Sequence, residues 1–228
     1  MYSFTQKFGP NLKTVVLTVF SRQYHVVLSN KVLILSGMFL FITSLLVISF
    51  MLQDNINTET QQVFEILFII YSVTLSSDLI IVEDNKNGVL EQFVLSGIML
   101  EWFLLAKTSA SSLIYILLYI PVLILTEAAM GYFSINDLCY STLLKILIIA
   151  NVVMSAALSS SFLLSSQKRI SQILISMFSN IPVFIISILC YRSGTTPYML
   201  LLVAMFLINF TVSTIISGYL IRVSIEES

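Results

Sequence analysis

Val32-Leu-Ile-Leu-Ser-Gly-Met-Phe-Leu-Phe-Ile-Thr-Ser-Leu-Leu-Val-Ile-Ser-Phe-Met-Leu52 runs for 21 residues without a single charge. An α-helix rises about 1.5 Å per residue, so about 20 apolar residues cross the hydrocarbon core of a bilayer. A water-facing helix of that length would carry a polar stripe, and this one carries none. It reads as a membrane span. Working outward, comparable apolar stretches follow at 63–82, 108–128, 141–166, 170–190 and 197–221. The expected fold is therefore an all-α integral membrane protein with six transmembrane helices, forming one domain over residues 1–228. No repeat or Gly/Ser-rich linker divides it.

Composition agrees. Hydrophobic residues make up 57% of the chain and charged residues 10%, against roughly 25% charged in soluble domains, which excludes a water-soluble enzyme. Eleven Lys+Arg balance 12 Asp+Glu for a net charge of −1, so there is no basic tract for nucleic acid. The chain holds one histidine, His25, too few for a multi-histidine metal site or a bis-histidine haem site within one chain. No Ser/His/Asp or Cys/His catalytic set can be assembled, and intrinsic enzyme activity is not expected.

Orientation follows from the distribution of Lys and Arg. With both termini in the cytoplasm, Lys7, Lys13, Arg22, Lys31, Lys86, Lys107, Lys168, Arg169 and Arg222 lie inside, and only Lys145 and Arg192 lie outside. That asymmetry is the positive-inside pattern. Residues 1–31 do not read as a cleavable signal peptide. Within them Leu12, Val15, Val16, Val19, Phe20 and Val27 recur at helical spacing opposite Thr18, Ser21, Arg22, His25 and Ser29, the pattern of an amphipathic helix lying in the interface and resting on membrane lipid.

The informative polar interruption is the cytoplasmic segment between spans two and three, Asp78 to Gly97. Asn87-Gly88 signals a turn. After it, Val89, Leu90, Phe93 and Val94 share one helical face and Glu91 lies on another. Periodicity leaves two readings open: a short helix resting on lipid, or one offering an apolar ridge to a cytoplasmic partner.

The run Glu83-Asp84-x-x-x-Gly88-x-Leu90-Glu91-Gln92, continuing to Leu105-Ala106-Lys107, resembles the cytoplasmic loop of the CcmB family, the haem exporter protein B of the cytochrome c maturation system. The six-span layout, the amphipathic start and the ending Arg222-Val-Ser-Ile225 resemble that family too, so the likeness covers essentially the whole chain, its specific part being residues 78–107. Members commonly have prolines after the Leu-Glu-Gln helix, where this chain has Gly97, Met99 and Glu101.

The resemblance implies an ABC-2-exporter-like permease subunit of the bacterial inner membrane. It would couple ATP hydrolysis by a cytoplasmic ABC ATPase to haem export or to release of a haem-loaded chaperone. The implied companions are that ATPase, the haem-handling membrane protein of the same system, its small accessory protein and the haem chaperone. Segment 83–107 would be the coupling loop, with Glu83, Asp84, Gly88, Leu90, Glu91, Gln92 and Phe93 meeting the ATPase, Leu90 and Phe93 as apolar knobs and Glu91 and Gln92 at the rim. No Gly-x-x-x-x-Gly-Lys-Ser/Thr phosphate cradle is present, and the only tryptophan, Trp102, suits an interfacial anchor. ATP and haem are thus expected to be handled by partner subunits, with no cofactor bound by this chain alone. The competing functions are an ABC-2 exporter for another lipid-like or polymeric substrate and a non-transporting scaffold.

Charges near the membrane interior need their own account. Asp78 falls about 6 Å from the inner end of span two at helical rise and is either solvated there or an inward-facing assembly or coupling contact. Glu65 and Glu127 sit near the outer ends of spans two and three, from which they can reach water. The run Ser155–Ser161 places small residues four apart, as a close helix approach requires within the subunit or across a homodimer. Cys139 and Cys190 both fall on the outer side, as a disulfide or as two free thiols.

Overall fold

The computed structural model describes residues 12–29, 31–51, 58–77, 84, 87–95, 100–129, 135–166, 169–194 and 196–226. These form eight helices: α1 Leu12–Ser29, α2 Lys31–Met51, α3 Thr58–Ser77, α4 Val89–Leu95, α5 Leu100–Ala129, α6 Ile135–Ser166, α7 Arg169–Ser193 and α8 Thr196–Glu226. Among the described residues four stretches are long and apolar enough to cross a membrane: Leu100–Glu127, Leu138–Phe162, Leu174–Ser193 and Pro197–Ser224. The chain is an all-α protein built for a membrane. In α2 the apolar stretch among the described residues is Leu35–Val47, and α3 carries Gln61, Gln62 and Glu65 in its first half.

Two boundaries differ from the expected ones. Helix α3 begins at Thr58, five residues before the apolar stretch, because Gln62 and Glu65 find partners inside the bundle. Helix α5 begins at Leu100 and not near residue 108, because Leu100, Phe103 and Leu104 are buried against the bundle. The last third of the expected loop 83–107 is therefore the start of a span. Pro121 and Pro182 lie inside α5 and α7, which run through them as continuous helices.

The most buried of the four long apolar helices, α6, is the hub; α3, α5, α7 and α8 all pack on it. Its small residues make this possible: Ala156, Ala157, Ser159, Ser160 and Ser161 are completely buried, and the serine hydroxyls donate to carbonyls one turn back, so backbones approach closely without stranding a polar group. Polar side chains then tie the helices together. Ser155 of α6 donates to Asn180 Oδ1 of α7 at 2.7 Å, Asn180 donates on to Thr74 of α3 at 3.4 Å, and Asn209 of α8 donates to Asn151 of α6 at 3.0 Å.

Helices α3 and α5 run antiparallel in a fixed register, since Tyr115 donates to the Ser76 carbonyl, Tyr119 to Ser72 Oγ and Thr126 to Glu65. Steps of four and seven residues along α5 match equal steps back along α3. Outside this core, α1 packs on α5 through Val19, Gln23 and Val27, with Gln23 donating to Ser111 at 2.9 Å. It turns Leu17, Phe20 and Tyr24 outward. His25 is exposed, edge-on to Tyr24.

Helix α2 reaches α3 at Gly37, where a Cβ would sit 2.9 Å from both the Ser72 carbonyl oxygen and Ser76 Cβ. Both atoms belong to a helix held by α5, so they cannot yield cheaply. Gly37→Ala is expected to lower stability by about 1–3 kcal/mol through overpacking, read as a lower unfolding midpoint in nanodiscs. An unchanged midpoint would show that α2 is free to shift.

Candidate functional site

Two clusters of charge lie at opposite ends of the bundle, one at the α4 end and one at the end where α5 turns into α6. Both break the rule that ions stay in water.

At the α4 end, Asp84 is 3% exposed. Its Oδ1 accepts a hydrogen bond from Arg22 Nη2 of α1 at 2.8 Å, and its Oδ2 accepts from Lys107 Nζ of α5. The Lys107 ammonium is itself buried and lies 5.9 Å from the centre of the Phe103 ring. Removing an ion from water costs several kcal/mol even after relaxation, so these charges persist there only as a group. Asp84 thereby ties its own position in the chain to α1 and to the base of α5. Asn87 and Gly88 form the expected turn, with Gly88 at φ +66, in the left-handed region that glycine adopts without penalty. The Gln92 amide donates to the Gly88 carbonyl at 3.2 Å and opens α4.

Helix α4 corrects one expectation. Leu90 is completely buried within the chain, turned into the bundle and not out toward a partner. Glu91 and Gln92 are exposed, as is Asn87 beside them. Glu83, Asp78 and the side chain of Phe93 lie outside the described residues. Near this end Arg222 of α8 donates to Glu101 of α5 at 2.6 Å, and Trp102 is 45% exposed on the first turn of α5.

At the other end, Glu65 of α3, Glu127 of α5 and Lys145 of α6 meet, all 2% exposed or less. Lys145 Nζ donates to Glu65 Oε1 at 2.5 Å and to Glu127 Oε1. Thr126 adds a hydrogen bond to Glu65 Oε1 at 3.3 Å, and Ser141 donates to Glu127 Oε1. The second oxygen of each carboxylate, Oε2, is buried with no hydrogen-bond partner among the described residues. This overturns the expectation that Glu65 and Glu127 reach water, and it removes Lys145 from the count of outer charges, since it is held inside the bundle. A sequence signal exists: Lys145 is flanked by Leu143-Leu144 and Ile146-Leu147, and an ionisable residue so placed in a span normally has a partner.

Beside this cluster a cleft of about 250 Å³ between α3 and α7 is lined by Thr60, Gln62, Ile66, Tyr191 and Arg192, with Gln62 donating to the Tyr191 hydroxyl. A second, mainly apolar groove of about 260 Å³ runs along the same two helices past Leu67, Tyr71, Asn180 and Phe184. Cys139 is exposed and Cys190 buried, and both are free thiols; Tyr140 lies 3.2 Å from Cys190 Sγ. Comparison with known proteins finds no matching family model and no curated protein with significant similarity.

Proposed function

We propose that this chain is the membrane subunit of an ABC-type export complex serving c-type cytochrome biogenesis, with six spans, both termini cytoplasmic, and ATP hydrolysed by a partner subunit. One observation carries the reading: Asp84, shortly before α4, is held at once by Arg22 of α1 and Lys107 of α5. A push on a loose loop is dissipated in the loop. A push on a segment clamped to an interfacial helix and to the base of a span moves both.

The contact face in this reading is the polar edge of Glu91 and Gln92, in place of the apolar ridge. The partners are the cytoplasmic ATPase, the haem-handling membrane protein, its small accessory protein and the haem chaperone, with haem as cargo. The apolar groove between α3 and α7 favours a second reading, export of another lipid-like substrate by the same machinery.

Affinity purification in mild detergent tests the proposal. The expected companions are a small ATPase and a tryptophan-rich haem protein, and the chain should stimulate the ATPase. Companions without any ATPase would leave only a scaffold. Orientation is checked separately in a cysteine-free background. Cysteines replacing Asn87 and Gln167 are expected to react with an impermeant maleimide only from the cytoplasm, and one replacing Asn57 only from outside; labelling of the Asn57 position from the cytoplasm would reverse the arrangement.

A further inference from the structure

The cluster at the α5–α6 end does not balance in charge. Two carboxylates share one ammonium, so with every group ionised the site carries one uncompensated negative charge, buried inside the helices. Among the described residues no other charged group is bonded to these three. On α7, Tyr191 and Arg192 line the adjoining cleft, and Arg192 is itself exposed. On α6, Tyr140 is bonded to Cys190. At its near end α8 contributes Tyr198, which is 36% exposed, and the only charge in α2 is Lys31 at its far terminus. Each carboxylate also keeps one buried oxygen without a partner among the described residues, and a hydrogen on either would supply the missing positive charge.

We propose that Glu65 and Glu127 together bind one proton, so that the resting site holds a lysine ammonium, one carboxylate and one neutral carboxylic acid. The two carboxyl groups contact the same nitrogen and are therefore neighbours, and the proton belongs to the pair and not to either residue. The inference is independent of the export reading, because it concerns only charge and burial within this chain. It makes the cluster a buried site that holds one proton.

Infrared difference spectroscopy of the full chain in nanodiscs at neutral pH tests it directly. Relative to wild type, Glu65→Gln and Glu127→Gln are each expected to lose one protonated-carboxyl C=O stretch, because the remaining carboxylate then pairs with Lys145 one to one. Lys145→Met is expected to gain intensity in the same band, both carboxyls now being neutral. Should Lys145→Met fail to accumulate, the two near-isosteric glutamine variants still decide. Spectra unchanged by both glutamine substitutions would overturn the proposal, and loss in only one would place the proton on a single residue and refute the sharing.

Discussion

Lys145→Met is expected to destabilise the protein by about 3–5 kcal/mol, the range seen when one partner of a buried ion pair is removed. The structural cause is that Glu65 and Glu127 both rely on this ammonium. Without it the two buried carboxyl groups lose the cation they share. The double variant Glu65→Gln/Lys145→Met should recover most of the loss, since it removes one of the two carboxyls together with the ammonium. Unfolding midpoints in nanodiscs and membrane levels would read this non-additivity; a double variant as weak as the two single losses combined would mean that the three groups act separately.

The second large effect is expected at the other end. Asp84→Asn takes the carboxylate away from the buried Lys107 ammonium, and a local loss of about 3–5 kcal/mol is expected. Arg22→Ala should cost no more than about 1 kcal/mol, because the Arg22 side chain is 39% exposed and water replaces its bond to Asp84. The long apolar helices do not depend on this clamp for their hydrophobicity, so Asp84→Asn should still insert and yet lose ATPase association. Asp84→Asn/Lys107→Met should regain much of the lost stability, since it leaves no buried charge unpaired. Equal effects of Arg22→Ala and Asp84→Asn would contradict the account of which bond holds the segment.

Much of the architecture is legible in the residues. The charge-free run from Val32, the Asn87-Gly88 turn and the small residues from Ser155 to Ser161 each rest on local rules of length, turn chemistry and side-chain size, and helix α2, the turn and the packed face of α6 lie where those rules put them. What local rules do not contain is the direction a face turns. In α4 the position of Leu90 suits lipid, a partner or the chain's own bundle equally well, and only the tertiary packing, which buries it, decides among them. The start of α5 is hard to read because Glu101 and Trp102 interrupt the apolar pattern, although their neighbours Leu100, Phe103 and Leu104 are buried. The pairing of Glu65 with Lys145 spans 80 positions of sequence. Each residue alone reads as a charge near a span end, and the register of α3 against α5 and α6 is needed to bring them together.

The central proposal is that α4, with Asp84 anchored shortly before it, meets a cytoplasmic ATPase through Glu91 and Gln92. A photo-crosslinking amino acid placed at Gln92, which is exposed beside Glu91, tests that contact in living cells without purification. The account predicts a crosslinked product containing this chain and an ABC ATPase, abolished by Asp84→Asn and retained in Arg22→Ala. Crosslinking confined to lipid, or an ATPase adduct that persists unchanged in Asp84→Asn, would contradict it.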